Sequence, residues 1–364
     1  NATLYDLAGK EYIDFCAGIG VNSVGTANEA WQAAISAQIG KLGHISNLFY
    51  AEPYVKAAEK LCRKAGMSNV FFANSGAEAN EGMFKLARKI GNASGRNEII
   101  SMDNSFHGRT LATLAATGRA KYRKGFEPDM PGFRQVPFND IEALKNAVND
   151  KTCAVVLEPV QGEGGIVPLP AAYLRGVEAL CRRHDILFLC DEVQAGMCRT
   201  GKFWAFQNFG LTPDAISIAK SLANGLPMGA MLATDEMAKG FGPGSHATTF
   251  GGGALTSAVA AKVVEIMQRD HLADRAAALG GRLLETLRGL QAALPDKIRE
   301  VRGLGLMIGV ELAVPAQAVW EELLRRGIIC NLSHGTTLRL LPPLTIDEAD
   351  LDVFTATLEA ILRS

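Results

Sequence analysis

Three short segments carry residue types that can do chemistry. The first is Asn74-Ser75-Gly76-Ala77-Glu78-Ala79-Asn80, which follows an apolar run and opens an amphipathic one. Free backbone N–H groups and the positive end of a helix dipole meet at such a point, so a phosphate binds well there. Read alone, Ser75 is an N-cap worth about 1 kcal/mol. The second is Leu187-Phe188-Leu189-Cys190-Asp191-Glu192-Val193-Gln194, an apolar strand ending in two carboxylates. Open α/β sheets bind ligands at the C-terminal ends of their strands. A carboxylate there can act as a base or pair with a cationic ring nitrogen; it can equally be a solvated strand end. No His/Cys/Asp array with metal-ligand spacing accompanies it, so no metal is expected. The third is Ile216-Ser217-Ile218-Ala219-Lys220-Ser221-Leu222. A lysine leaving an apolar strand can have its ammonium form disfavoured, which suits Schiff-base chemistry; otherwise it is a surface charge.

Together the three supply a phosphate cradle, an acid and an amine, each at the end of a strand in one sheet. Pyridoxal 5'-phosphate needs those parts: an anchor for its phosphate, an acid for its pyridinium nitrogen and a lysine for its aldehyde.

The elements that position these groups are legible from the apolar pattern. Strands are expected at Val70–Ala73, Ile99–Met102, Cys153–Glu158, Ile186–Cys190, Ala215–Ile218 and Gly229–Ala233, apolar throughout, as in strands covered on both faces. Helices are expected at Ala77–Lys89 and Ala171–His184. Strands alternating with helices imply an α/β fold with a mostly parallel central sheet. From Ala258 the alternation stops. One or two long helices cover Ala258–Leu294, a strand Leu306–Leu312, a helix Gln317–Arg326, and short strands lie near Ile328–Asn331 and Thr337–Leu341. A closing helix places Leu351, Phe354, Leu358 and Ile361 on one face. This is a smaller α+β lobe, and the N-terminal stretch has its own strand near Glu11–Phe15. The expected division is a large domain over 42–257 and a small one joining 1–41 to 258–364.

Composition narrows the function. The chain has 364 residues, 48% apolar and 21% charged, with Lys plus Arg at 37 against Asp plus Glu at 38. That excludes disordered and disulfide-scaffold classes. A net charge of −1 offers no basic excess for a phosphate backbone, so no nucleic-acid partner is expected. No apolar stretch reaches the 18 or so residues that span a bilayer, so no membrane partner is expected. Seven cysteines without a C-x-x-C pair read as buried thiols of a reducing compartment. The chain opens on Asn1 rather than Met, so its start is expected to be missing. The expected location is the cytoplasm, or the mitochondrial matrix for a eukaryotic chain whose presequence is absent.

At this point the sequence resembles the class III pyridoxal-phosphate aminotransferases of fold type I. The resemblance spans the chain from Leu4-Tyr5-Asp6 to the closing helix and rests most on Asp191-Glu192-Val193-Gln194, Pro213-Asp214 and Lys220. Four further segments are most similar to the acetylornithine branch: His44–Tyr50, Ser105-Phe106-His107-Gly108-Arg109-Thr110, Glu158–Gly165 and Leu338–Pro343. The resemblance implies that Lys220 bonds the cofactor's aldehyde and then carries the proton between substrate Cα and the cofactor. It gives Asp191 the ring nitrogen, Val193 and Phe106 the two ring faces, Gln194 the phenolic oxygen, and Ser75, Gly76 and Ala77 the phosphate. Thr249 would add a phosphate contact from the neighbouring subunit of a homodimer, with Thr248 touching substrate there. Arg109 would pair with the substrate α-carboxylate, and Glu163 with Arg339 would gate the distal carboxylate of glutamate or 2-oxoglutarate.

The implied reaction moves the amine of N-acetylornithine to 2-oxoglutarate, giving the semialdehyde and glutamate in arginine biosynthesis. Ornithine, succinylornithine, N-succinyl-diaminopimelate and 4-aminobutyrate are the alternative donors. Departures from the family pattern are Gly253 in Gly251-Gly252-Gly253, Cys198 where a glycine is usual, and Gly25-Thr26 where glycine-histidine is common. Two readings of other classes are weaker. A nicotinamide dehydrogenase lacks its glycine fingerprint, because Gly18-Ile19-Gly20 and Gly303-Leu304-Gly305 have no third glycine at the right offset. A non-catalytic relative would be expected to have lost Lys220 or Asp191.

Overall fold

The computed structural model describes residues 2–364. Its largest element is a seven-stranded sheet. From one edge the strands run Phe133–Val136, Glu98–Met102, Thr152–Leu157, Leu187–Asp191, Ala215–Ile218, Gly229–Ala233 and Asn69–Ala73. All neighbours pair in parallel except Gly229–Ala233, which is antiparallel to both of its own. The sheet is therefore mostly parallel, as the apolar runs imply.

Alternation along each strand decides which helix it serves. Ala154 and Val156 pack with Met83, Phe84 and Leu86 of the helix Gly76–Gly91. Val155 and Leu157 face the other way, with Leu174 and Val177 of the helix Ala171–His184. All four strand residues are wholly buried. Burying side chains of this size contributes about 1.5–3 kcal/mol each for the larger ones. Two covered faces require strands without polar alternation, as seen.

Three smaller sheets lie outside this one, the smallest being the antiparallel pair Val160–Gln161 and Val167–Pro168. Thr3–Tyr5 and Glu11–Asp14 form an antiparallel pair, and Ile328–Ile329 joins it in parallel with Ile328 opposite Ile13. An antiparallel four-stranded sheet has the order Ile298–Leu304, Met307–Leu312, Thr337–Leu340, Asn331–Ser333. The single run expected near Ile328–Asn331 is thus split between two sheets. The stretch Ala258–Leu294 holds two helices, Ala254–Arg269 and Leu272–Ala293, separated at Asp270-His271, where His271 takes φ +50°. The expected division at 257/258 falls in the first turn of the former. The closing helix Glu348–Arg363 buries Leu351, Phe354, Leu358 and Leu362. Ile361, expected on that face, is only half-buried. At 100° per residue, eleven residues return closer to the starting face than ten do.

Unforeseen elements are the edge strand Phe133–Val136 and the helices Glu29–Ile39 and Glu52–Ala65. Asn28 caps the first, accepting from Trp31 N at 3.2 Å. The second starts with Pro53 and stops at Gly66, whose φ of +65° ends a helix without a Cβ penalty. Among the described residues no helix is long and apolar enough to cross a membrane. All seven cysteines are free thiols; Cys16 and Cys62 are half-buried and the other five are buried.

Candidate active site

Sheet register brings the three segments together. Ser217 lies opposite Asp191 in the parallel pair, so Lys220 leaves the sheet beside the end of the Asp191 strand. The next strand, Gly229–Ala233, pairs with Asn69–Ala73, and the chain turns there into the helix Gly76–Gly91. Asp214, which the family pattern singles out, sits instead at the opposite end of its strand. It accepts from Phe188 N at 2.7 Å and pairs with Arg182 at 2.8 Å.

A cavity of about 420 Å³ opens at these strand ends. Ser75, Gly76, Ala77, Phe106, Arg109, Glu163, Asp191, Val193, Gln194 and Lys220 all line it. Arg339 stands behind Glu163, its Nη1 2.5 Å from Glu163 Oε1. Thr248 and Thr249 are not brought in. They line a separate surface recess with Glu78, Glu81 and His246, and Thr249 is exposed.

The phosphate cradle is built by Ser75. Its hydroxyl accepts from Glu78 N at 3.2 Å, which starts the helix and leaves the first-turn N–H groups of Gly76 and Ala77 without intrahelical partners. Gly76 is required by packing, since a Cβ there would stand 2.8 Å from Val193 Cγ1.

Asp191 is buried and fully engaged. Oδ2 accepts from Asn80 Nδ2 and faces His107 Nδ1, each at 2.8 Å; Oδ1 accepts from Val193 N at 3.0 Å. Burial opposes charge on His107, but the hydrogen bond and charge of Asp191 outweigh it and raise the imidazole pKa. His107 Nε2 and Gln194 Oε1 are buried without partners.

Burial lowers the Lys220 pKa, with Glu163 pulling the other way. Lys220 takes φ +39°, a strained backbone for a side-chain-bearing residue. Behind it, Ser221 Oγ donates to Gly20 O at 3.0 Å and lies 2.6 Å from Ser23 Oγ. The Arg199 guanidinium, wholly buried, donates to Ser23 Oγ at 3.0 Å, Leu306 O at 3.1 Å and Pro342 O at 2.5 Å.

Two buried glutamates act through backbone. Glu158 accepts from Phe106 N at 2.9 Å and Gly162 N at 3.0 Å, and burial raises its pKa. Glu192 accepts from Ala205 N at 2.7 Å and Phe206 N at 2.8 Å, and burial pushes it up to about 7. For Glu163, burial raises the carboxyl, but the charge and hydrogen bond of Arg339 win and hold it below the usual range.

Sequence reasoning left Asn80, Glu158 and Val21 without roles. Asn80 lies in a quoted segment one helical turn beyond Gly76, which is the only signal it gives. Val21 follows a left-handed turn in which Ala17, Gly18, Ile19 and Gly20 all have φ between 48° and 75°, pinned by Asp14 Oδ1 accepting from Cys16 N and Ala17 N at 2.8 Å. Nothing in the sequence marks such a turn beyond its two glycines. Of the departures, Cys198 keeps a left-handed φ of +70°, where glycine would meet less strain. Gly25 keeps φ +87° and its carbonyl accepts from Asn224 at 3.0 Å.

The residues present fit a phosphorylated, aldehyde-bearing ring: free N–H groups at a helix start, a buried carboxylate, and a desolvated amine on one cavity wall. Among the described residues no group of three or more His, Cys, Asp or Glu is gathered as a metal site.

Comparison with known proteins agrees with this chemistry. The family model described as Aminotransferase class-III matches residues 1–362. An acetylornithine aminotransferase from Methanocaldococcus jannaschii is 46% identical, over 98% of this chain and 90% of that protein. A succinylornithine transaminase/acetylornithine aminotransferase from Pseudomonas aeruginosa is 43% identical, over 97% and 88%. An ornithine aminotransferase from Toxoplasma gondii, solved with partial occupancy of pyridoxal phosphate at its active site, superposes with a TM-score of 0.96 at 31% identity, over 99% of this chain and 88% of that one. The chain therefore belongs to the class-III aminotransferases, and its cofactor is pyridoxal 5'-phosphate.

Proposed function

We propose that the chain transfers the distal amine of N-acetylornithine to 2-oxoglutarate, releasing N-acetylglutamate 5-semialdehyde and glutamate. The observation that carries this reading is the Glu163–Arg339 pair beside a cavity that also exposes the unpaired Arg109. The names of the relatives, acetylornithine aminotransferases in the majority, support the donor. The dual name of the Pseudomonas relative makes succinylornithine the second reading.

When bound, the cofactor supplies a cationic ring that draws electrons from the substrate's reacting carbon. The side chains divide the remaining work. Gly76 and Ala77 hold the phosphate with backbone N–H groups, and Ser75 with its hydroxyl proton. Asp191 holds the proton on the ring nitrogen; Asn80 and His107 keep its carboxylate aimed. Val193 and Phe106 would close the two ring faces, and Gln194 would face the phenolic oxygen. Burial disfavours the Lys220 ammonium, which favours its amine as the base that would take the proton from the substrate carbon and later return it. The donor reacts at its δ-carbon and 2-oxoglutarate at C2, so Arg109 grips the carboxylate remote from the reacting carbon, the α-carboxylate of the donor and the distal carboxylate of 2-oxoglutarate. Arg339, nearer Lys220, takes the α-carboxylate of 2-oxoglutarate, and Glu163 neutralises Arg339 when the donor, which has no second carboxylate, is bound.

The same reading makes the chain a homodimer in which Thr249 and Thr248 reach the partner's site. It is supported by exposed apolar residues near Thr249: Leu48, Phe49, Tyr50 and Phe250 are between 64% and 96% exposed. Asn47 ties the two segments, donating to Gly251 O at 3.0 Å. A large part, 42–257, would carry the cofactor and a small part, 1–41 with 258–364, the gate arginine.

The test is single-turnover visible spectroscopy of the holoenzyme with a donor panel. N-acetylornithine is expected to bleach the cofactor band far faster than ornithine or 4-aminobutyrate, and 2-oxoglutarate to restore it. A faster succinylornithine reaction would move the assignment to the second reading.

A further inference from the structure

Tyr122 lies on a short surface segment, Gly118–Gly125, outside the residues assigned above. The guanidinium carbon of Arg109 stands 4.1 Å from the Tyr122 ring centroid and 5.3 Å from that of Phe106. The two rings meet edge-on at 6.0 Å. Arg109 is exposed, and no carboxylate of the described residues pairs with it, so the Tyr122 face is what fixes it. Arg119 completes the arrangement. Its guanidinium carbon is 4.7 Å from the same ring, and its Nη1 donates to Tyr122 Oη at 3.0 Å and to Glu163 O at 2.9 Å. Glu163 in turn holds Arg339. Contacts therefore run Arg109–Tyr122–Arg119–Glu163, and Glu163 pairs with Arg339 until an acceptor carboxylate replaces it.

We propose that Tyr122 and Arg119 are positioning residues: Tyr122 orders the Arg109 receptor, and Arg119 fixes the backbone of Glu163, the residue that must leave Arg339 before the acceptor's second carboxylate binds, so that the site selects its 2-oxo dicarboxylate acceptors by the number of carbons between their carboxylates. This rests on the reading of Arg109 and Arg339 given above. An arginine held by stacking is ordered before substrate arrives and loses less freedom on binding. One held at a fixed distance from a second receptor binds both ends of a chain of only one length.

The test uses the holoenzyme and three 2-oxo dicarboxylates: 2-oxoglutarate and its homologues one carbon shorter and one longer. Tyr122→Leu removes the stacking face and is expected to raise the KM for 2-oxoglutarate about tenfold with kcat held within twofold. It should also shrink the preference over the two homologues severalfold. Tyr122→Phe keeps the ring and is expected to stay within twofold of wild type for KM. Arg119→Met cuts the tie to Glu163 and should erode length preference more than KM. If Tyr122→Leu fails to load cofactor, Arg119→Met carries the length test. Unchanged length preference in the variants that load cofactor would overturn the proposal. Arg109→Met separates this from the underlying reading: if it leaves the KM for 2-oxoglutarate unchanged, the role of Arg109 as a carboxylate receptor is itself wrong.

Discussion

Asp191 Oδ2 faces His107 Nδ1 at 2.8 Å, both side chains buried in the wall of the cavity. A hydrogen bond to a charged partner is worth about 1.5–3 kcal/mol. His107→Gln is expected to lower kcat about tenfold, or about 1.4 kcal/mol in barrier, while cofactor still binds. The pH behaviour has a definite sign. The imidazole pKa is raised above its usual 6.5, so its contribution to stability is fully present below that pH and is lost as pH rises through the folded value. The stability gap between wild type and His107→Gln, read from urea midpoints, should narrow as pH rises.

Gly76 and Val193 occupy one space. A Cβ on residue 76 would lie 2.8 Å from Val193 Cγ1. Gly76→Ala should push Val193 off the ring face and weaken cofactor binding about tenfold or more, near 1.4 kcal/mol. Adding Val193→Ala should recover part of that loss. Equilibrium titration of the cofactor in the four-member cycle gives the coupling directly, and simple additivity would remove the steric explanation.

Glu192 carries the same pH sign as His107. Its pKa is pushed up to about 7, so the folded state binds its proton more tightly than the unfolded chain. Stability from this group is greatest below its unfolded value and falls as pH rises toward 7. Glu192→Gln loses one acceptor for Ala205 N or Phe206 N and should be less stable than wild type. That deficit should shrink between pH 5 and pH 8 in urea unfolding; a constant deficit would mean that Glu192 titrates normally.

Arg199 joins the N-terminal segment, the loop after Leu304 and the strand end at Pro342. Arg199→Met leaves three buried acceptors without a donor, at about 1–3 kcal/mol each. A fall of about 3 kcal/mol or more is expected, visible as a lower Tm for the holoprotein. Ser23→Ala removes one of the three acceptors together with the Ser221 contact and should lose less, about 1–2 kcal/mol. Equal melting of both variants would deny Arg199 its role as the hub.

The large sheet was legible because two-sided burial writes unbroken apolar runs such as Thr152–Leu157. The edge strand Phe133–Val136 has Arg134 and Gln135 in its middle, and an edge carries no such demand. The helix Glu29–Ile39 buries no residue fully, so it has no apolar stripe to read. The chemical groups were legible where strand ends name them, as with Asp191 and Lys220. Their partners were not, because Asn80 and His107 meet Asp191 from segments 111 and 84 residues away. Nothing in spacing announces a contact at that range. Asp214 shows the converse: a motif residue whose place is at the far end of its strand, holding Arg182.

The pairing of Glu11–Asp14 with Ile328–Ile329 has a consequence for how the chain is made. Residues emerge from the ribosome in order, at about 5–20 per second. Glu11–Asp14 can pair early with Thr3–Tyr5 but must wait for more than 300 later residues before its parallel neighbour Ile328–Ile329 exists. During that interval the left-handed turn after Asp14, and Val21 with it, lacks the sheet that frames it. Assembly of the cavity is then gated by translation of the segment that carries Ile328, and chains truncated before Ile328 should accumulate as cofactor-free species on stalled ribosomes.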